Sequence, residues 1–296
     1  MNSECKRRLS YVDTETTKRV LANSEAEVPD LLKLIADEPA TLRQTRYAIL
    51  AGEYETIARC SYAIGCSLGK VKESLSLAAH AHSEVFRMRG TEPAFPACEV
   101  RPKPSGATGD AEGDFEIRNL REDQEVDHSL TNSFRGYRAV CEALVSCQDA
   151  LAGSLAKLIW DPPNAAYIGP RSFCTPSDQS LAYGLRELIL GDKVAMEVQL
   201  KRLKLRASDA HIAHQVRMLR GIATNDSREF VDGLSAFLVW HRRMALAKRH
   251  RLNPEFFMCT TGLGLCRLAL RSAVCHPSLL PQDNEFLPVK LIEGNC

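Results

Sequence analysis

Eight histidines and eleven cysteines are the side chains of this 296-residue sequence with the widest chemical range, and their spacing decides what they could do. His211 and His214 stand three apart in a helical pattern, a spacing that can bring two imidazoles to one metal ion. Ile212, Val216, Leu219 and Ala223 mark the inward face of that helix, which predicts both histidines outward. No acid or thiol follows at ligand spacing. His80-Ala81-His82 is a weaker candidate, because residues two apart on a helix diverge. His241 differs, since Phe230, Leu234, Phe237, Leu238 and Met244 form an apolar stripe that contains it. A buried imidazole needs a hydrogen-bond partner. His241 is therefore expected as a satisfied core histidine closing against another helix; the sharper alternative is a polar contact at the floor of a partner-binding groove.

The remaining signatures of catalysis are missing. Gly262-Leu263-Gly264 lacks both the preceding strand and the third glycine of a dinucleotide site. Ser146-Cys147-Gln148-Asp149 falls in a helical pattern with no histidine near it, and neither Gly-x-Ser-x-Gly nor His-Glu-x-x-His occurs. No Cys-x-x-Cys is present either. Cys60/Cys66, Cys141/Cys147 and Cys259/Cys266 lie within helical runs, where free cysteine packs as a small hydrophobe. They are expected as reduced thiols. The sequence thus assigns no catalytic residue, no metal ligand and no cofactor.

The elements that must carry these residues are helices. Leu190-Gly191-Asp192 followed by Met196, Leu200 and Leu203 reads as one helix-turn-helix unit. Thr224-Asn225-Asp226 followed by Phe230, Leu234, Phe237 and Leu238 reads as a second. In each, Gly or Asn can take the left-handed conformation that ends a helix, and the next Asp can cap another. The two turns are 34 residues apart, the period of a helical-hairpin solenoid. Ala51-Gly52-Glu53 followed by Ile57 resembles a third copy. Residues 1–27 are weakly periodic, and Pro29 suits a first helical turn. Asn132 or Ser133 can cap a long helix ending at Trp160-Asp161-Pro162-Pro163, and Asn253-Pro254 opens a last apolar helix over 256–274. The tail, with Leu279-Leu280-Pro281 and Phe286-Leu287-Pro288-Val289, is extended and packs back. The fold expected is all-α: antiparallel helical hairpins in a repeat-like array with an extended C-terminal tail.

Three regions follow: a helical region over 1–90, a Pro/Gly-rich acidic linker over 91–128, and a helical region over 129–296 continuous with the first. Phe115-Glu116-Ile117 in the linker reads as a short strand or docking segment, and 161–176 is a second Pro-rich loop containing Tyr167 and Phe173. Charge is divided by sign. Residues 92–127 hold ten acids against four bases, net −6; residues 191–251 hold thirteen bases against six acids, net +7. The whole chain is nearly neutral at +1, which argues against nucleic acid as a partner, since such proteins bind through an excess of cations. No apolar run reaches the ~18 residues of a membrane span. The polar start Met1-Asn2-Ser3-Glu4-Cys5-Lys6-Arg7-Arg8 lacks the apolar centre of a signal peptide, and the expectation is a cytoplasmic protein.

Four stretches resemble the immunity protein 49 family of bacterial polymorphic-toxin systems: Leu50–Glu55, Tyr137–Asp149, Arg220–Phe230 running on to Trp240-His241, and Phe286–Leu291. In order and spacing they cover roughly residues 40–292. The resemblance implies a mostly helical protein that binds a cognate toxin domain and blocks it stoichiometrically, without catalysis and acting in the cytoplasm. A helical-repeat scaffold in a regulatory complex is the alternative. Tight binding needs a buried anchor with steering charges around it. The expected contact residues are Trp240, His241, Arg242 and Arg243 in the tandem, or Tyr167 and Arg171 in the second Pro-rich loop.

Overall fold

The computed structural model describes residues 9–88, 128–159 and 174–293. These form ten α-helices and no strand: α1 (Thr14–Asp37), α2 (Ala40–Ala63), α3 (Leu68–Met88), α4 (Ser133–Val145), α5 (Asp149–Leu158), α6 (Pro176–Leu190), α7 (Lys193–Lys201), α8 (Ala210–Thr224), α9 (Ser227–Leu246) and α10 (Thr260–Arg271). Helices α1, α2 and α3 pack in succession, α6 pairs with α7, and α8 pairs with α9. The centre is α4, which touches α3, α5, α6 and α10. Every residue of it from Ala139 to Val145 is buried, as is Tyr137.

Five of these helices end the same way, with one residue in the left-handed region and the next N–H reaching back to the carbonyl five positions earlier. Gly65 (φ 80°), Cys147 (63°), Gly191 (87°), Asn225 (59°) and Ala273 (54°) are those residues. The backward bonds are Cys66 N to Ser61 O, Gln148 N to Ala143 O, Asp192 N to Glu187 O, Asp226 N to Gly221 O and Val274 N to Ala269 O, all 2.8–3.0 Å. After the two turns of the tandem, Asp192 caps α7 through Ala195 N at 2.8 Å and Asp226 caps α9 through Glu229 N at 3.0 Å. Lys193 Nζ then closes on Ala223 O at 2.6 Å, tying the first hairpin to the end of α8.

Four local expectations fail. Gly52 lies inside α2, which continues unbroken to Ala63, so Ala51-Gly52-Glu53 is no hairpin turn. Pro29 sits within α1, which Asp13 caps far upstream. The long helix after Asn132 is two helices, because Cys147 turns left-handed and closes α4. The final apolar helix is shorter than 256–274, with a 3-10 turn at Pro254–Phe256 before α10. Among the described cysteines Cys60, Cys141, Cys174, Cys259, Cys266 and Cys275 are buried free thiols, whereas Cys147 is disulfide-bonded and departs from the reduced state expected. The tail does pack back: Phe286, Leu287, Val289 and Leu291 are buried. The acidic linker, Trp160, Tyr167, Arg171 and Phe173 lie outside the described residues.

Candidate functional site

Helices α2 and α4 each place an acid and an arginine four residues apart on the side facing the other, in opposite order: Glu55 then Arg59, Arg138 then Glu142. Where the helices meet, each acid sees both cations. Arg59 Nη1 donates to Glu55 Oε2 at 2.8 Å, and Arg138 Nη2 donates to the same oxygen. His82 enters from α3 with Nε2 3.0 Å from Glu55 Oε1. A carboxylate only accepts, so Nε2 carries the proton. Glu142 completes the group, its Oε1 3.8 Å from Arg59 Nη2 and its Oε2 3.7 Å from His82 Nε2. Neither oxygen of Glu142 accepts a hydrogen bond, although the residue is wholly buried.

The two carboxyls therefore part company. Burial pushes Glu55 up, but the Arg138 and Arg59 charges outweigh it and hold the group well below the ordinary carboxylate range. Burial pushes Glu142 up as well, the neighbouring Glu55 charge adds to that, and the arginines do not compensate. Glu55 is the ionised member and Glu142 the protonated one.

Glu55, His82 and Glu142 bring ligand atoms within 4.8 Å of one another, the one such group of three among the described residues. The donor types suit a transition metal, but the surroundings do not. Both oxygens of Glu55 are taken, and with Glu142 protonated the two guanidinium groups already exceed the one carboxylate. A divalent ion would add +2 to a buried site that already carries excess positive charge, at a steep electrostatic cost.

The cluster forms one wall of a cavity of about 240 Å³. Arg59, Arg138 and Glu142 line it on that side, and Gln215, Trp240 and His241 line it from α8 and α9. Trp240 stacks between elements of this wall, 4.8 Å from the His211 ring and 5.6 Å from Phe237. His241 is buried, with Nε2 3.1 Å from Phe256 O. Burial pushes its pKa down to about 4, so the imidazole is neutral, donating through Nε2 to that carbonyl. The core-histidine expectation for His241 is met, and the same ring also borders the cavity. His211 is a correction: it is half-buried against Trp240, and burial lowers its pKa. His214 is half-buried too. The pair does not point outward together, because Trp240 on the next helix covers α8 where the apolar pattern left a polar flank.

The expected contact residues split. Trp240 and His241 turn toward the cavity, while Arg242 and Arg243 are exposed and make no ion pair among the described residues. Spacing did not single out Glu55, Arg59, His82, Arg138 and Glu142. A signal was available: Glu55/Arg59 and Arg138/Glu142 are charges at i, i+4 on otherwise apolar helix faces, beside Ala51 and Ala58 on α2 and Val140, Cys141 and Leu144 on α4.

Comparison of the chain with protein-family models, curated proteins and solved structures returns no match. The resemblance to the immunity family rests on the four sequence stretches alone. Among the described residues no helix is long and apolar enough to cross a membrane.

Proposed function

We propose that this chain is a non-catalytic, cytoplasmic immunity protein that binds a toxin domain and holds it inactive. The toxin identity comes from the sequence resemblance. The binding half of the reading is carried by one observation, the outer face of α9. Val239, Arg242, Arg243 and Leu246 recur at i, i+3, i+4 and i+7, and all four are exposed, Val239 at 72%. Two exposed apolar side chains flanking two cations that make no ion pair among the described residues suit an acidic partner surface, with charge steering the encounter and the apolar side chains buried afterwards.

The thiols and carboxyls nearby favour binding over catalysis. Burial pushes Cys259 up to about 12, and Cys141 further, so neither offers a thiolate near neutral pH. Glu55 is held by two arginines and His82, leaving no free base. The same outer face would serve a helical-repeat scaffold, and one assay separates the two. Co-production with the toxin domain encoded beside its gene should restore growth and yield a one-to-one complex. Arg242→Glu with Arg243→Glu should slow association roughly tenfold or more at low salt and leave folding intact. Cells that still die, or the absence of any neighbouring toxin gene, refute the immunity reading.

A further inference from the structure

Cys147 closes α4 at φ 63°, in the left-handed region where Gly or Asn is the usual choice. It is also disulfide-bonded. Among the described residues seven other cysteines are free thiols, so its partner is one of the remaining three of the eleven, Cys5, Cys98 or Cys296. The fold separates these three. Two residues past Cys147, Asp149 opens α5. Arg267, in the second half of α10, reaches from that carboxylate to the tail: Nη2 donates to Asp149 Oδ2 at 3.3 Å, and Nη1 donates to Ile292 O at 3.2 Å. One guanidinium group thus lies between the α4–α5 turn and a tail residue four positions before Cys296. Four residues span up to about 14 Å, enough to bring two Cα atoms to the ~5–6 Å of a disulfide. The other candidates enter elsewhere. Tyr11, six residues after Cys5, donates to Phe256 O ahead of α10, at the end of that helix away from Arg267. Cys98 belongs to the segment between Met88 and His128. Phe86 packs at Gly136 near the start of α4, and His128 precedes that helix, so both ends of the segment lie opposite Cys147.

We infer that Cys147 pairs with Cys296, and that this bond is a redox-sensitive clasp holding the tail against the α4–α5 turn. What it holds is a shared part of the core. Tyr62 Oη on α2 donates to Glu285 O, Cys259 N at the head of α10 donates to Phe286 O at 2.8 Å, and the Phe286 ring lies 5.3 Å from His241 on α9. Phe286, Leu287 and Ile292 are buried. The tail therefore joins α2, α9 and α10, and the clasp governs how firmly it does so. Closing it oxidises two thiols. One cysteine thiolate attacks a low-molecular-weight disulfide, such as glutathione disulfide, and releases the first glutathione. The second cysteine thiolate then attacks the protein sulfur of that mixed disulfide, forms the S–S bond and releases the second glutathione. Two electrons and the two cysteine protons end on the two glutathiones. A reducing cytosol holds such a bond open, so the clasp closes there only when the surroundings turn oxidising.

This inference does not rest on the toxin reading. The full chain is reduced with dithiothreitol, reoxidised with glutathione disulfide, digested without reduction and mapped by mass spectrometry. One cross-linked peptide pair, joining Cys147 to Cys296, is expected. Pairing of Cys147 with Cys5 or Cys98, or a Cys147 that stays a thiol, overturns the proposal. Oxidation should also raise the melting temperature by at least about 5 °C, because a bond closing a loop of roughly 150 residues constrains the unfolded chain. It should slow hydrogen exchange at the Leu287 and Ile292 amides at least about fivefold, since the tail then opens less often. Cys296→Ser should abolish both effects and leave the reduced protein unchanged, whereas Cys5→Ser combined with Cys98→Ser should keep them. Cys147→Gly, which suits the left-handed backbone, should fold and lose both effects as well. Retention of the gain in Cys296→Ser, or oxidised and reduced chains that melt and exchange alike, overturns the clasp.

Discussion

Replacing Glu55 by glutamine tests the charge assignment at the centre of the fold. Glu55 accepts from Arg59 at 2.8 Å and from Arg138, and faces His82 at 3.0 Å. Glutamine keeps the shape and one acceptor oxygen, but removes the charge and leaves two guanidinium groups without their common counter-ion. Breaking a buried ion pair from one side costs about 3–5 kcal/mol. Here the lower end applies. The Arg138 side chain is 27% exposed and can rehydrate, whereas Arg59 at 8% must turn to Glu142, 3.8 Å away, which would then ionise. A loss of about 3 kcal/mol lowers the melting temperature by roughly 6–12 °C at 2–4 °C per kcal/mol. Glu142→Gln is the control: its carboxyl is protonated, shares a hydrogen bond only with Glu55 and carries no charge to lose, so the loss should stay within about 1 kcal/mol. Urea unfolding followed by far-UV circular dichroism measures both. The pH sign is fixed as well. The contribution of Glu55, whose folded pKa is depressed, is complete above the ordinary carboxyl range and fades as pH falls below it. Equal losses in the two variants, or a larger loss for Glu142→Gln, would refute the assignment of ionised and protonated members.

Three further outcomes follow from single positions. His241 is pushed down to about 4 while an unfolded histidine titrates near 6.5, so stability is fully present above that value and falls as pH drops toward 4. The loss attributable to this ring is about 3 kcal/mol at the low end, and His241→Phe should flatten the profile between those pH values; an unchanged slope in thermal melts rejects the buried neutral imidazole. Gly264→Ala should cost about 1–3 kcal/mol by overpacking, because a Cβ there would lie 2.8 Å from Cys141 Cα, where α10 crosses α4; a neutral result in the same melts means the crossing is looser. Ala273→Gly should stabilise by about 0.5 kcal/mol, the relief of a left-handed alanine exceeding the chain entropy added to the unfolded state, and any loss in urea midpoint contradicts this.

The parts of the fold legible in the sequence are those where the local chemistry has few solutions. Gly191-Asp192 and Asn225-Asp226 each combine a residue that tolerates positive φ with a capping carboxylate, and both turns form as read. Cys147 and Ala273 make the same backbone turn with residues that give no sign of it, so the break after α4 was hidden inside an apolar run. Gly52 and Pro29 gave the opposite error. Each is a breaker by composition, yet α1 and α2 are helices of 24 residues each whose packing offsets one unfavourable residue. The site was less visible still. Glu55 and Arg59 stand at i, i+4, a spacing common on exposed helix faces, and only the arrival of Arg138 and Glu142 from a helix some 80 residues later turns them into a buried cluster. Likewise, the apolar residues of α8 alone cannot reveal that Trp240 covers His211.

The two faces of α9 bear on how the chain can be used. Its inner face, through Phe237, Trp240 and His241, builds the cavity; its outer face presents Val239, Arg242, Arg243 and Leu246. A partner on the outer face would thus bear on the helix that builds the cavity without touching the residues that line it. Arg138 adds a second link, donating to Glu55 on α2 while its other nitrogen lies 3.6 Å from Glu255 in the turn after α9. Arg138 thereby ties α2, α4 and the α9–α10 connection together, so the helix that presents Arg242 and Arg243 to a partner is anchored from within by the buried cluster.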